Sequence, residues 1–217
     1  MRHTVSRKQI IFILAIVIWE ERMKNKIISV GGGASNILSG ISKQIKAIDF
    51  CDLIDINTDS RFLRDPKVIR FVKIGDQSVD NGTRGDSEKG RQALEFSYEV
   101  ISRLIKSTDH VIVISCFGGG TGSGVTPEIV KLLKQYNISV DVIVCMPLTI
   151  ERPNQSTARD ALHNLKNEID PWRIIDIEKI AQKNSYKISL KDLFELVDEK
   201  VFELIKGSQF LSTLTNR

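Results

Sequence analysis

The chain has 217 residues, of which 41% are hydrophobic and 27% charged, with a formal net charge of +4. That is enough apolar chain for one domain with a sizeable core, and it excludes a disordered polypeptide. The charges are dispersed and no basic run is dense enough to line a nucleic-acid groove, so no nucleic-acid partner is expected.

The N-terminal segment, residues 1–22, carries ten consecutive apolar residues from Ile10 to Trp19. A bilayer-spanning helix needs about 20, and a signal peptide would end in small residues rather than Glu20-Glu21-Arg22. Three readings stay open: a weak anchor to a membrane or partner, an extra β-rich segment, or residues outside the native protein. The third is favoured here. Glu-Glu-Arg can be encoded by a purine-rich run that positions a bacterial ribosome, and translation would then start at Met23. Membrane contact is expected only if residues 10–19 are native.

From residue 23 to 217 the pattern is that of one domain. Short β-branched runs fall at Ile27–Val30, Leu53–Ile56, Val68–Ile74, Val111–Ser115, Val140–Cys145 and Arg173–Ile177. Most are nearly continuous in apolar residues, which fits parallel strands buried on both faces. Helical stretches are predicted at Ser35–Ala47, Ser87–Lys106, Pro127–Tyr136, Thr157–Ile169 and Leu190–Leu211. Strands alternating with helices predict a three-layer, mainly parallel, Rossmann-like α/β sheet with helices on both faces. Ligands in such sheets lie beyond the carboxyl ends of the strands.

Two of the loops there are rich in glycine. "VGGGASN", Val30 to Asn36, leaves the first strand, with Ser35 or Asn36 as candidate helix cap. "GGGTGSG", Gly118 to Gly124, leaves the fourth and is followed by Pro127, expected in the first turn of a helix. Glycines let a backbone approach an anion, and a helix N-terminus offers free N–H groups. Neither loop is a Walker motif or the dinucleotide fingerprint Gly-x-Gly-x-x-Gly, and neither brings a lysine. Phosphate charge would then be met by N–H groups, hydroxyls, the helix dipole and Mg²⁺. "INTDS" follows another strand, where Asp59 reads either as a metal-side carboxylate or as a helix cap. "DSEKGR" opens a helix with Ser87 near its cap.

Cys51, Cys116 and Cys145 show no metal spacing and have apolar neighbours, as expected of reduced thiols in a cytosolic core. His3, His110 and His163 are scattered and suggest neither a metal site nor a catalytic triad. No catalytic residue is assigned.

Taken in order, "VGGGASN", "INTDS", "NGTRGDSEKGRQA", "GGGTGSGVTPEI", "MPLTIE" and "DLFELVDEKVF" resemble the filament-forming GTPases of the FtsZ/tubulin family, FtsZ in particular, from Lys26 to about Leu211. The resemblance implies GTP or GDP as ligand, with Mg²⁺. It implies that Gly31, Gly32, Gly33 and Asn36 line the nucleotide, and that Asn57 and Asp59 lie near the phosphates and metal. It places Gly82 to Asp86, with Gly85 and Asp86 among them, near the γ-phosphate, and Arg84 there replaces a small residue. Gly118, Gly119, Gly120 and Gly122 would cradle the phosphates, with hydroxyl contacts from Thr121 and Ser123. Glu151 would bind ribose, Phe194 would stack on guanine, and Asp198 would accept from its N–H groups. Phe194 and Asp198 are four residues apart and so share a helix face. A carboxylate accepts where guanine donates and adenine does not. On the residues alone, Phe194 would read as core and Asp198 as a solvated charge.

Three departures stand out. After Glu151 the family's arginine is missing, and either Arg152 or Asn154 replaces it. Ile177 falls where the family contacts guanine with an asparagine, which loosens base selectivity and leaves most of it to Asp198. Residue 217 falls about where the family's synergy loop would begin, so a chain of this extent would receive such a loop but not offer one, and would bind nucleotide while hydrolysing it slowly. The expected function is a cytoplasmic guanine-nucleotide-binding protein that takes part in or regulates a cytoskeletal filament, in cell division or a related process. Its partner would be itself or another FtsZ-like subunit across the nucleotide face. The alternatives are a non-catalytic cap or assembly regulator of such a filament and, further off, another α/β dinucleotide enzyme.

Overall fold

A computed structural model of the protein describes residues 25–48, 51–62, 69–165, 170 and 173–208. The apolar segment 1–22 lies outside them. Six parallel strands form one sheet in the order β3-β2-β1-β4-β5-β6: β1 Asn25–Val30, β2 Asp52–Asn57, β3 Arg70–Lys73, β4 His110–Cys116, β5 Ser139–Met146 and β6 Ile174–Asp176. The helices are α1 Gly32–Ile48, α2 Ser87–Phe96, α3 Tyr98–Ile105, α4 Gly120–Gln135, α5 Arg152–Leu165, α6 Ile177–Lys183 and α7 Leu190–Lys206. The three-layer α/β expectation therefore holds.

Both faces of the central strands are buried, which is why their sequences read as unbroken apolar runs rather than alternating ones. Ile28 and Val30 of β1 and Val111 and Val113 of β4 pack with Val125, Ile129 and Leu133 of α4 on one face. Ile27, Ile112 and Ile114 pack with Leu38 and Ile41 of α1 and Val197 and Val201 of α7 on the other. The strand order reverses at β1, which lies between β2 and β4, and the crevice outside such a reversal is where ligands of open α/β sheets bind.

One polar network is buried under that crevice. Asp55 stands in β2 at 1% exposure, and its Oδ1 lies 2.9 Å from the Ser29 hydroxyl and 2.7 Å from the Ser35 hydroxyl. Asn57 Nδ2 donates to Ser35 Oγ at 3.0 Å. The network ties β1, β2 and the first turn of α1 together. Asp55→Ala removes the acceptor that two buried hydroxyls share, and is expected to lower unfolding free energy by about 2 kcal/mol, measured by urea denaturation.

Several predicted boundaries shift. Helix α1 begins at Gly32, so Ser35 lies inside its first turn with its hydroxyl 3.0 Å from the Gly31 carbonyl oxygen, and neither Ser35 nor Asn36 is an N-cap. Helix α4 begins at Gly120, and Pro127 sits in its interior rather than its first turn. The predicted helix Ser87–Lys106 starts at Ser87, next to its cap Asp86, which accepts from Glu88 N at 3.0 Å and Lys89 N at 3.2 Å, but it is broken at Ser97 into α2 and α3. Helix α5 begins at Arg152, five residues before the expected start, and the expected end at Ile169 lies outside the described residues. Helix α7 ends at Lys206 before Gly207, and 209–211 lie outside the described residues, as does Val68 of the third predicted strand. Helix α6 replaces the end of the last predicted strand, because Asp176 caps it by accepting from Lys179 N at 3.2 Å.

Candidate nucleotide site

The two glycine loops meet at the reversal point. Gly31 adopts φ +81°, and a Cβ there would stand 2.9 Å from Gly122 N, so the N-termini of α1 and α4 approach backbone to backbone. Further along α4, a Cβ on Gly120 would stand 2.4 Å from the Asp86 carbonyl oxygen, on Gly122 2.3 Å from that of Cys116, and on Gly124 1.9 Å from that of Ser87. These three glycines let α4 pack against β4 and the start of α2. That contact is what drives glycines into a helix they intrinsically disfavour. Gly118 carries φ +102° and donates its N–H to Ser123 Oγ at 2.9 Å. Gly119 is different: its φ is −81°, and nothing lies within 4 Å of a Cβ built there. It faces open space at the N-terminus of α4, where N–H groups and the helix dipole favour an anion.

A cavity of about 370 Å³ opens beside these loops. Gly33, Asn36, Phe117 and Glu151 line it together with Ile177, Phe194, Val197 and Asp198, with Cys116 and Cys145 also in its wall. Phe194 is 48% exposed, so it is not core, and Asp198 lies one helical turn away and is partly buried. Burial, with Glu195 nearby as a second cause, pushes the Asp198 carboxyl up to about 6. Its Oδ2 packs on Gly40 of α1, where a Cβ would clash at 2.2 Å. Ser189 caps α7 by accepting from Asp192 N at 3.1 Å, which fixes the start of the helix that presents the pair. Glu151 accepts from Leu148 N at 3.1 Å and Asn154 Nδ2 at 3.0 Å. Asn154 also packs on Gly118, where a Cβ would stand 2.8 Å from its own, whereas Arg152 is exposed. Of the two candidates, Asn154 is therefore the residue beside the glycine loop. Cys116 and Cys145 are register partners on β4 and β5 and carry free thiols. The hydrogen bond with Cys116, and then burial, hold Cys145 well above the usual thiol value, as for an inert core cysteine.

Other expected site residues are engaged by the protein itself. Asn57 is 1% exposed and uses Nδ2 on Ser35 and Oδ1 on Asp59 N at 3.2 Å, so it shapes the loop from below. The Thr121 hydroxyl lies 2.8 Å from that of Thr58 and 3.5 Å from that of Thr83, and Ser123 Oγ is held by Gly118 N. Thr58, Thr83, Ser35 and Asp55 were not singled out from sequence as site residues, although a charge inside "LIDIN" was a usable signal. Gly85 has φ +85° with nothing within 4 Å of a Cβ, and Arg84 beside it has φ 54°. Asp86 is used as the α2 cap. Gly32 packs under the Phe62 ring, which a Cβ would meet at 2.5 Å.

A family model described as Tubulin/FtsZ family, GTPase domain, matches residues 24–185. The chain belongs to the tubulin/FtsZ family. Among the relatives of this tubulin/FtsZ domain, the cell division protein FtsZ of Aquifex aeolicus (strain VF5) is 30% identical over 186 residues, covering 85% of this chain and 50% of that protein. Cell division protein FtsZ 2 of Haloferax volcanii is 26% identical, covering 83% and 45%. The chain thus spans about half the length of the curated relatives it matches. Among solved structures, an empty FtsZ dimer from M. jannaschii superposes with a TM-score of 0.74 at 23% identity, over 93% of this chain and 58% of the other. A GTPgS-bound protofilament of CetZ2 from Haloferax volcanii superposes at 0.68 and 24% identity, over 82% and 55%. These structures show that the tubulin/FtsZ fold is shared.

The same family implies magnesium, and the residues present do not fit a protein-held ion. Magnesium at a nucleotide commonly takes one or two carboxylates beside the phosphates, and Asp59, the carboxylate expected on the metal side, accepts from Arg61 with both of its oxygens.

Proposed function

We propose that this domain binds a guanine nucleotide, GTP or GDP, in the crevice beyond β1 and β4. One observation carries the reading. An aromatic face and an acceptor-only carboxylate, Phe194 and Asp198, open from one helix onto a cavity that Gly33 and Asn36 of the first glycine loop also line, with Phe117 just before the second. A half-exposed phenylalanine is poorly used as core but well placed to stack on a base. Asp198 offers acceptors to the N1 and N2 donors of guanine, while adenine would present it an acceptor. Ile177 adds contact but no hydrogen bond, so selectivity for guanine rests on Asp198. Glu151 and Asn154 stand toward the ribose. Gly119, the N-termini of α1 and α4, and the Gly82–Asp86 loop receive the phosphates.

Family membership, and relatives named as a dimer and a protofilament, support self-association, and the same reading puts its contact across the nucleotide face. On that reading the protein works in the cytoplasm as part, or regulator, of a filament.

Competition against a fluorescent GTP analogue tests the ligand. GTP and GDP should displace it at micromolar concentration, and ATP and NAD should need at least about tenfold more, the worth of one lost hydrogen bond to a charged group. Equal displacement by all four would remove the guanine assignment.

A further inference from the structure

Residues 58–62 bridge the N-termini of the two site helices. Thr58 Oγ1 meets Thr121 Oγ1 in the first turn of α4 at 2.8 Å, and the Phe62 ring covers Gly32 in the first turn of α1. Asp59 pairs with Asn81, at the edge of the Gly82–Asp86 loop, and its Oδ2 lies 3.6 Å from where a Gly82 Cβ would be. Within this bridge Arg61 folds back on Asp59. Its backbone N–H donates to Oδ1 at 3.0 Å, its Nε to Oδ1 at 2.9 Å, and its Nη2 to Oδ2 at 2.6 Å. The carboxylate is 7% exposed and the guanidinium side chain 71% exposed. Asp59 is thus a buried holder, and Arg61 is the exposed group it presents within the segment that bridges the N-termini of α1 and α4.

The glycine loops bring no lysine, and Asp59 has no oxygen left for a metal while Arg61 is in place. The Arg61 side chain holds that carboxyl below the usual carboxylate range. We propose that Arg61 is the cation of the phosphate site, taking up the nucleotide's polyphosphate in place of a protein-held magnesium ion, with Asp59 as its positioning residue. A guanidinium pinned along one edge keeps its other donors for a second anion, and its planar fork matches two phosphate oxygens at once. The inference rests on the nucleotide-binding reading above.

The test titrates wild type, Arg61→Ala and Arg61→Lys with GTP and with guanosine, each in EDTA and in millimolar Mg²⁺. Wild type should bind GTP within about threefold of the same affinity in both buffers. In EDTA, Arg61→Ala should lose at least about tenfold for GTP and nothing for guanosine, with Mg²⁺ recovering part of the loss because Asp59 is released. Arg61→Lys, which keeps the charge without the fork, should fall between. Guanosine affinity reports that the variants are folded. If Arg61→Ala binds GTP like wild type in EDTA, or wild type binds GTP only with Mg²⁺, the Arg61 assignment is overturned and nucleotide binding stands. If wild type binds neither ligand in either buffer, nucleotide binding fails and the assignment goes with it.

Discussion

Gly119→Ala is expected to fold like wild type and to lose nucleotide, whereas Gly124→Ala, five residues on, is expected to lose the fold. The two substitutions add the same methyl group. At Gly119 the backbone, φ −81° and ψ 160°, suits any residue, and no protein atom lies within 4 Å of the new Cβ. Nothing in the protein requires a glycine there, and on the proposed reading the open space is where a phosphate approaches the backbone. At Gly124 the new Cβ would stand 1.9 Å from the Ser87 carbonyl oxygen and 2.9 Å from Arg91 N, both main-chain atoms of α2 that cannot swing away. Separating α2 from α4 should cost about 3 kcal/mol or more. Thermal melts should therefore superimpose for Gly119→Ala and collapse for Gly124→Ala. GTP affinity of Gly119→Ala should drop at least about tenfold, because lengthened backbone-to-phosphate bonds are charge-assisted. Unchanged GTP binding by Gly119→Ala would mean that the loop is structural only.

Asp198 is the second strong handle. Burial raises its carboxyl to about 6, so near neutral pH it is a poorly solvated anion waiting for donors. Guanine supplies two. Affinity for GTP should therefore weaken as pH falls through 6, when the proton removes the charge that guanine's donors need. Asp198→Ala should weaken GTP by about tenfold to a hundredfold at pH 7.5, from the loss of hydrogen bonds to a charged group. Stability runs the other way. The folded carboxyl binds its proton more tightly than the unfolded one, so its contribution is fully present below the ordinary carboxylate value near pH 4 and is lost as pH rises to 6. Asp198→Asn should consequently raise Tm over wild type at pH 7.5 and change it little at pH 4. A lower Tm for Asp198→Asn at pH 7.5 would show that the carboxylate is satisfied within the protein.

Much of this was legible from residue order alone. Continuous runs such as "VIVIS" announce strands buried on both faces, and their alternation with helices fixes the doubly covered sheet. The early start of α4 has a packing cause. Gly120, Gly122 and Gly124 disfavour a helix locally, yet they are what lets α4 reach β4 and α2, and that packing outweighs their propensity. The break at Ser97 and the short α6 likewise depend on contacts and caps that periodicity does not carry. In the site, Phe194 and Asp198 were singled out by the family resemblance, with which their shared helix face agrees; on the residues alone they read as core and as a solvated charge. The Asp55–Ser29–Ser35–Asn57 network was not legible, since its members lie on three elements. Nor was the Arg61–Asp59 clasp, whose two-residue spacing resembles any surface charge pair until burial shows which partner is presented.

Hydrogen exchange of the full chain with and without GTP tests the central claim most directly. Binding in this crevice should slow exchange at Gly31–Asn36, at Gly118–Ser123 and across the Phe194–Asp198 turn of α7, and leave α3 unchanged. If GTP protects none of these segments, or protects α3 instead, the crevice is not a guanine-nucleotide site.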